Sequence, residues 1–339
     1  MFAENLRDLS DKTPWEQALF FFPPEIRQIL GAVAPQVGAG ALEIRLRIHQ
    51  ALEVNLGHKT VFLTPGGAAV PDAKQAYIIG AEEFRKTVNS LTAGSLYAWE
   101  EELVNGYLTL PGGHRVGFTG HVIQNGGKIQ FIRHLSSLNF RIARQVKGIA
   151  GPLLPFLWER GRFLKTMILG PPASGKTTLL RDIAREVSRG VPELGIAGLH
   201  VGIVDERAEI AGCFHGAPQM ELGPRADVLD GCSKKEGVYL LLRSMNPQLI
   251  ITDEIGSLDD WPIIEDILNA GVSFIASAHA QDPEEASRRP GLRRILESGV
   301  IERLVILSNR RRIGGVESIR AGWRGPVLSS AGAEEAVKW

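Results

Sequence analysis

Apolar and polar residues alternate along the early part of the chain, a spacing typical of half-buried strands. Between residues 41 and 50, apolar side chains occupy every second position and mostly charged side chains fill the positions between them. Before residue 38 we expect short helices, because Pro23 and Pro24 interrupt the pattern. The other predicted elements are strands over residues 41–50, 51–56 and 60–63 and helices over residues 81–91 and 95–104.

Glycine-rich turns divide the next stretch, residues 106–147, into short strands. Turn signals stand at Pro111-Gly112-Gly113 and at Asn125-Gly126-Gly127. The predicted strands cover residues 115–123, 128–132 and 137–143. We interpret them as an antiparallel meander within an N-terminal α/β domain that spans residues 1–150.

The later part of the chain has a different pattern, in which continuous apolar runs alternate with helical spacing. Such runs indicate strands that are buried on both faces, and their alternation with helices predicts a mainly parallel sheet. The predicted strands cover residues 163–169, 199–205, 249–253, 273–277 and 300–307. The predicted helices cover residues 177–188, 236–244, 259–269 and 283–296, the last interrupted at Pro290. The second domain is therefore expected over residues 151–320, ending in a hairpin, with a loosely ordered tail at residues 321–339.

Composition excludes several classes of protein. With 44% hydrophobic and 22% charged residues in 339, the chain is typical of a soluble globular protein. Its formal net charge is zero, so no global field favours nucleic acid or an anionic membrane. Two cysteines, Cys213 and Cys232, indicate a reducing compartment and offer no zinc-finger spacing. No apolar run approaches the ~20 residues that span a bilayer, so we expect a cytoplasmic protein whose membrane contact is indirect.

A phosphate-binding loop follows the first buried strand of the second domain. The segment fits the pattern G-x-x-x-x-G-K-S/T and leads into a helix. Backbone N–H groups and the helix N-terminus would hold the phosphates of ATP, Lys176 would reach the β- and γ-phosphates, and the Thr177 hydroxyl would ligate Mg²⁺. The predicted nucleotide-binding residues of this loop are Gly170, Pro171, Pro172, Ala173, Ser174, Gly175, Lys176, Thr177 and Thr178.

An apolar strand that ends in two acids completes the predicted magnesium site. Residues 249–254 read Leu-Ile-Ile-Thr-Asp-Glu, which is the Walker B arrangement. Asp253 is expected to hold Mg²⁺, and Glu254 to polarise the water that attacks the γ-phosphate. The alternative for Glu254 is that it caps the following turn.

Further candidates stand after other strand ends. Glu209 belongs to an acidic segment with Asp205 and Glu206. These acids could support the metal or the attacking water, or they could form an ion pair with Arg207. The alternative is that they are ordinary surface charges. His279 could contact the γ-phosphate or Glu254, although a lone histidine is more often structural. Arg243, at the end of a predicted helix, could stabilise transition-state charge or simply favour the helix dipole.

A basic stretch contains no acidic residue from position 103 to position 158. The bland interpretation is a solvated strand face; the alternative is a sheet that faces nucleotide phosphates, a nucleic-acid backbone or acidic lipid. Arg141 and Arg144 lie closest to the expected domain junction and are the best candidates for contact with nucleotide. The basic residues of the stretch are Arg115, Lys128, Arg133, Arg141, Arg144 and Lys147.

The order of these motifs resembles that of the secretion ATPases of type II and type IV systems, and most closely the branch of that family found in endospore-forming bacteria. The resemblance covers most of the chain beyond the first forty or so residues. It implies an N-terminal α/β domain on a RecA-like ATPase core, a hexameric ring with ATP between subunits, and a place at a membrane channel. It also implies that Glu209, Glu254 and His279 are the glutamates and histidine of the family's motifs. The Asp253-Glu254 pair departs from the family's usual Gly-Glu.

Three functions remain open at this point. The leading one is a Mg²⁺-dependent ATPase motor at the cytoplasmic base of a secretion-like channel, which the resemblance places between mother cell and forespore. The second is a nucleic-acid-dependent ATPase that grips phosphates with the basic stretch; nucleic acid is the weaker candidate because Phe118, Phe131 and Phe140 have apolar neighbours and are expected in the core. The third, a binding module without turnover, is disfavoured by Glu254.

Overall fold

The computed structural model describes residues 12–92, 99, 106–308 and 315–330. The chain forms two compact units, residues 1–144 and residues 145–339. The division falls a few residues before the junction expected from sequence at residues 148–161.

The first unit begins with helices that proline residues start. Each of the first three helices has proline in its first turn, where the missing N–H costs nothing. Thr13 and Glu16 form a capping box: the Glu16 N–H donates to Thr13 Oγ1 at 3.3 Å, and the Thr13 N–H donates to Glu16 Oε2 at 2.8 Å. The helices are α1 (Pro14–Leu19), α2 (Pro24–Gly31), α3 (Pro35–Gly40) and α4 (Ala81–Leu91).

Antiparallel pairing joins all neighbouring strands of the first sheet. Their order is β4-β3-β2-β1-β7-β6-β5, so the strand nearest the N-terminus lies in the centre. The apolar face of this sheet packs on α1 and α2 around Phe21, Phe22 and Phe140, which are all at most 1% exposed. The strands are β1 (Glu43–Arg47), β2 (Glu53–Asn55), β3 (Thr60–Leu63), β4 (Ala69–Val70), β5 (Tyr107–Thr109), β6 (Arg115–Asn125) and β7 (Lys128–Arg141).

One prediction for this sheet was wrong in its segmentation. The separate strands expected over residues 128–132 and 137–143 form one long strand, β7. The polar residues between them stay in the ladder because β6 pairs along nearly the whole length of β7, with irregularities at Thr119/His121 and at Ile123/Gln124. The helix expected over residues 95–104 lies outside the described residues, apart from residue 99.

The second unit is a mainly parallel sheet of the RecA-like type. The strand order is β12-β11-β13-β14-β10-β15-β16-β17; pairs from β12 to β15 are parallel and the last two are antiparallel. Its strands are β10 (Thr166–Gly170), β11 (Val201–Asp205), β12 (Ala226–Asp230), β13 (Leu249–Glu254), β14 (Ser273–His279), β15 (Arg303–Ser308), β16 (Gly315–Arg320) and β17 (Val327–Ser330). A separate hairpin pairs β8 (Trp158–Glu159) with β9 (Arg162–Phe163).

Helices on both faces cover this sheet, as the βα alternation predicts. Apolar side chains from two clusters fill the space between helices and strands, one on each face. The helices are α5 (Leu154–Leu157), α6 (Lys176–Arg189), α7 (Lys234–Ser244), α8 (Asp260–Asn269), α9 (Pro283–Arg288) and α10 (Pro290–Glu297). Across the described ranges, no helix combines the length and the apolar character needed to cross a bilayer.

Two strands of the eight-stranded sheet escaped prediction. β12 is an edge strand with the sequence Ala-Asp-Val-Leu-Asp; it is half-buried throughout and so lacks the continuous apolar run of its neighbours. β17 falls within residues 321–339, which were expected to be a loosely ordered tail, and it pairs with β16. Residues 331–339 lie outside the described residues.

Candidate nucleotide site

The strand register brings the predicted motifs of the second unit to one edge of its sheet. His279 pairs with Gly170, so the end of β14 lies directly beside the start of the phosphate loop. Val204 pairs with Thr252, which puts Asp205 and Asp253 at the ends of adjacent strands. Parallel strands end at a common edge, and ligands of such sheets bind there.

The loop between β10 and α6 has the backbone that a phosphate cradle needs. Gly175 precedes the helix with φ +90°, a left-handed conformation that favours glycine. A Cβ at Gly170 would lie 2.4 Å from Ser174 Oγ, so only glycine fits at the start of the loop. Ala173 also has a positive φ of 59°. Pro171, Pro172, Thr177 and Thr178 complete the segment, and α6 begins at Lys176, as the spacing predicts.

Lys176 lies inside this loop, 6% exposed. Its Nζ donates to the carbonyl oxygens of Gly170 at 2.8 Å and Pro171 at 3.0 Å, and it lies 2.8 Å from His279 Nδ1. Burial lowers the pKa of Lys176 to about 8, and the charges of Glu254 and Glu209 offset part of that effect. Because the ammonium converges with loop carbonyls at a buried point, a phosphate oxygen is a fitting further ligand.

A chain of side chains connects this lysine to the Walker B glutamate. His279 Nε2 lies 3.3 Å from Glu254 Oε2, and Arg207 donates to the same oxygen at 3.1 Å. The predicted contact between His279 and Glu254 is therefore present. Sequence reasoning missed the contact of His279 with Lys176 and the contact of Arg207 with Glu254.

Asp253 is the carboxylate that best fits a metal ion. It is 5% exposed, and neither of its oxygens has a hydrogen-bond partner of normal geometry among the described residues. Burial raises its pKa to about 6; the charge of Lys234 opposes that rise, and Asp205 and Glu206 add to it. A buried carboxylate without a hydrogen bond is unfavourable unless a cation compensates it. The oxygens of Asp253 and the hydroxyl of Thr177 are ligands that suit Mg²⁺.

The acidic segment after β11 is fixed from two sides. Asp205 is fully buried and accepts the backbone N–H groups of Glu209, Ile210 and Ala211 at 2.8, 3.0 and 2.8 Å. Burial raises the pKa of Asp205, although these hydrogen bonds lower it. Asp205 thus fixes the loop that carries Glu209.

Arg181 fixes the same loop from the phosphate-loop helix, and sequence reasoning missed it. It is 8% exposed and donates Nε to the Ile210 carbonyl and a terminal nitrogen to the Glu209 carbonyl, both at 2.6 Å. The sequence signal that could have identified Arg181 is its position on a predicted helix near the apolar residues Leu180 and Ile183. This contact ties the loop of Glu209 to the helix that begins at Lys176.

Arg243 does not fit a role at the phosphate loop of its own chain. α7 starts beside the strand ends and runs back along the sheet, so Arg243, in its last turn, lies toward the opposite edge. Its guanidinium donates to the Tyr239 hydroxyl at 2.5 Å and stacks over that ring, 5.0 Å from the centroid. This placement favours a contribution to a neighbouring copy over one in the same chain, and the role of Arg243 stays a prediction.

One arginine of the basic stretch lies close to an acid of β1, and a second ion pair lies on the neighbouring strands β1 and β2. Arg141 pairs across the ladder with Glu43, and its Nε lies 3.8 Å from a Glu43 carboxylate oxygen. Glu53 binds Arg47 at 2.6 Å. Arg144 donates to the Ala41 carbonyl at 2.7 Å, and burial lowers its pKa.

The phenylalanines of this stretch are not all in the core. Phe118 and Phe140 are buried as expected, at 5% and 1% exposure. Phe131 is only partly buried, and the Arg133 guanidinium lies over its ring, 4.8 Å from the centroid. The core interpretation is therefore wrong for Phe131, because it lies on the long hairpin arm of β6 and β7 near its turn.

Comparison with known proteins agrees with this architecture. A sequence model of the family described as "Sporulation stage III, protein AA" matches residues 15–327. The stage III sporulation protein AA of Bacillus subtilis (strain 168) is 41% identical over 297 residues, which are 88% of this chain and 92% of that protein.

Solved structures show the same fold at low sequence identity. The ATPase DotB of Legionella pneumophila matches with a TM-score of 0.54 at 16% identity, over 83% of this chain and 74% of that one. The pilus retraction motor PilT, solved with bound ADP, matches with a TM-score of 0.50 at 14% identity, over 83% of this chain and 78% of that one. The RecA-like P-loop fold predicted from sequence is confirmed.

Proposed function

The chain belongs to the sporulation stage III protein AA family, and we propose on that premise that it is a Mg²⁺-dependent ATPase that drives a secretion-like channel. The observation that carries the proposal is the convergence at one sheet edge of a buried loop lysine, a histidine, a glutamate and an unpartnered buried aspartate. The channel is proposed to be that between mother cell and forespore, with the protein at its cytoplasmic face.

Each residue of the edge has a distinct proposed role. The loop from Gly170 to Thr178 holds the phosphates of ATP through its N–H groups and the N-terminus of α6. Lys176 moves its ammonium from the loop carbonyls toward the β- and γ-phosphate oxygens. Asp253 and the Thr177 hydroxyl hold Mg²⁺, which neutralises charge on the phosphates when it is bound.

Glu254 is proposed to orient the attacking water and accept its proton. Its carboxylate already lies between His279 and Arg207, at 3.3 and 3.1 Å, so two groups fix its position. His279 touches both Glu254 and Lys176, which makes it suited to report whether the γ-phosphate is present. Glu209 lies on the loop that Asp205 and Arg181 fix, and we propose that it supports the same water.

A ring of copies, which we propose to be a hexamer, would complete the site. Arg243 lies away from the phosphate loop of its own chain, and Arg141 is 60% exposed on the sheet of the first unit. Arginines so placed suit the phosphates of a neighbouring copy. Sedimentation with and without a non-hydrolysable ATP analogue tests this: we expect ATP-strengthened association, and a monomer at high concentration in both conditions contradicts it.

The alternative function, a nucleic-acid-dependent ATPase, has one supporting observation. Phe131 is partly exposed beneath Arg133 on the β6–β7 hairpin, an arrangement that can stack on a base. Against it, Glu43 lies 3.8 Å from Arg141 and offsets part of the charge of the basic stretch. ATP turnover measured with and without DNA or RNA at physiological salt separates the two: the motor proposal predicts no stimulation.

The proposed activity is tested by paired lysine substitutions at the two ends of β10. Lys176→Ala removes the buried loop ammonium and should abolish ATP binding and turnover. Lys165→Ala, just before the other end of the strand, removes a partly exposed lysine 4.0 Å from Glu302 and should leave both unchanged. Binding of a fluorescent ATP analogue and release of phosphate are the measurements. Unchanged nucleotide affinity in Lys176→Ala would contradict the assignment.

A further inference from the structure

Lys234 places a largely buried ammonium against Glu206, at the edge of the sheet that carries the proposed metal carboxylate. It is the first residue of α7, whose N-terminus is capped by Ser233. Its side chain is 17% exposed, and its Nζ donates to Glu206 Oε2 at 2.7 Å. Burial lowers the pKa of Lys234, but the hydrogen bond to Glu206 and the charges of Asp260 and Asp253 outweigh it and raise the pKa overall. The side chain is therefore a cation.

The strand register explains why this cation acts on Asp253. Glu206, which anchors Lys234, directly follows Asp205 at the end of β11. β11 pairs with β13 through Val204 and Thr252, so Asp253 lies at the neighbouring strand end. The charge of Lys234 opposes the rise that burial causes in the pKa of Asp253, whereas the charges of Asp205 and Glu206 add to that rise.

Asp253 needs such a charge because it lacks hydrogen bonds. Other buried carboxylates of this edge are satisfied by backbone N–H groups: Asp205 accepts three, and Asp260 accepts those of Gly256 and Ser257, both at 2.7 Å. Neither oxygen of Asp253 accepts a normal hydrogen bond from any described residue. The negative charge of Asp253 is thus compensated by a positive charge at a distance. A divalent cation can replace that charge without breaking a hydrogen bond of Asp253.

We propose that Lys234 is a positioning residue of the metal site. Before a metal ion binds, its ammonium supplies the positive charge that compensates Asp253, and as a result the protein binds Mg²⁺ together with nucleotide and not as a free ion. The inference rests on the proposed nucleotide site. A free divalent ion approaching Asp253 meets the repulsion of Lys234. An ion that arrives with ATP brings phosphate charge that outweighs this repulsion, so Lys234 favours the metal–nucleotide complex as the bound species.

The test removes the charge of Lys234 and keeps its hydrogen bond. Lys234→Gln still donates to Glu206 but is neutral, Lys234→Arg keeps the charge, and Lys235→Gln neutralises the exposed neighbour on the same helix. Mn²⁺ is titrated into each full-length variant without nucleotide, and free Mn²⁺ is followed by electron paramagnetic resonance. We expect Lys234→Gln to bind Mn²⁺ on the order of tenfold more tightly than wild type, while the other two variants match wild type.

Two further samples secure the interpretation. Adding Asp253→Asn to Lys234→Gln should abolish the gained Mn²⁺ site, because it removes the proposed ligand. If circular dichroism shows that Lys234→Gln is unfolded, Lys234→Met, which is also neutral and similar in length, takes its place in the same titration.

The outcomes separate this inference from the proposed ATPase activity. Wild-type Mn²⁺ affinity in a folded neutral variant overturns the role of Lys234, whatever the turnover. An equal gain in Lys235→Gln also overturns it, because the effect would then be general surface charge. If Mn²⁺ affinity rises only in Lys234→Gln and the protein does not hydrolyse ATP, the result supports this inference and contradicts only the proposed ATPase activity.

Discussion

The two sheets of this molecule carry their charges in different places. Along β1 of the antiparallel sheet, buried Ile44 and Leu46 alternate with Glu43, Arg45 and Arg47 on the other face. Along β10 and β11 of the parallel sheet every residue is buried. There the charged groups stand at the strand ends and in the loops that follow. The first arrangement spreads charge over a surface, and the second collects it at one edge.

The difference shows in two carboxylates, the half-buried Glu43 and the buried Asp253. Glu43 is surrounded by donors: burial raises its pKa, but hydrogen bonds from Arg45, Asn139 and Asn55 outweigh it and bring the pKa below its ordinary value. Neither oxygen of Asp253 accepts a hydrogen bond of normal geometry from a described residue, and burial brings its pKa to about 6. A fold that satisfies a half-buried acid and leaves a more deeply buried one without normal hydrogen bonds indicates where a ligand belongs.

The largest effect outside the phosphate loop is expected from Arg181→Met. This change leaves the carbonyls of Glu209 and Ile210 without their buried donor, so we expect a loss of about 3–5 kcal/mol in the free energy of unfolding. Turnover should fall with it because the loop that carries Glu209 loses its link to α6. Urea unfolding and phosphate release are the measurements.

The matched control for this change is on the same helix. Arg189→Met removes an arginine that is 53% exposed and whose partner, Glu221, lies 3.4 Å away at the surface. Its effect on unfolding should be within about 0.5 kcal/mol of zero. Equal effects of the two substitutions would show that Arg181 does not fix the loop.

A smaller effect is expected from acid on the first unit, through His114. This residue is fully buried; its Nδ1 accepts the Ala143 N–H at 3.1 Å, so Nε2 carries the hydrogen that faces Gln17 Oε1 at 3.3 Å. Burial lowers the pKa of His114 from 6.5 to about 4. Between those values the unfolded chain binds more protons, so stability falls as pH falls, by up to about 3 kcal/mol.

Hydrogen exchange at the amides of β1 and β7 measures this loss in the full-length protein. The free energy of opening should decline from about pH 7 to about pH 4 in wild type. In His114→Gln the decline should be shallower, whereas His134→Gln, which changes an exposed histidine, should behave like wild type. The same slope in all three proteins would rule out His114 as the titrating group.

The smallest effect is expected from the arginines of the antiparallel sheet. If Arg141 or Arg144 reaches nucleotide, its change to alanine should lower turnover by about tenfold, while ATP binding at the phosphate loop survives. Lys128→Ala, at the other end of β7, should have little effect. Similar losses of nucleic-acid affinity in all three, with unchanged turnover, would favour the alternative function. Small, equal effects on both would leave a solvated face.

Sequence patterns predicted the parallel core better than its contacts. Continuous apolar runs located β10, β11, β13 and β14, because strands buried on both faces leave little freedom in composition. The edge strand β12 and the long strand β7 were not anticipated, since cross-strand pairing and not local preference holds their polar residues in place.

The site residues also divide into those that the sequence revealed and those that it did not. Motifs nominated Lys176, Asp253, Glu254 and His279 because each lies at the end of a strand or in the motif after it, and the apolar runs reveal those strands. Arg181 and Lys234 could not be found in this manner. Their partners are 28 residues away in sequence or more, and only the sheet register brings them together.

Glu254→Gln tests the central claim most directly, that this sheet edge is a site of ATP hydrolysis. The variant keeps the size of the side chain and removes its ability to accept a proton, and Glu265→Gln, on the exposed face of α8, is the control. With Mg²⁺ and ATP, we predict that Glu254→Gln binds nucleotide like wild type and turns over roughly 10²–10⁴-fold more slowly, while Glu265→Gln matches wild type in both. Turnover at the wild-type rate in Glu254→Gln would contradict the account.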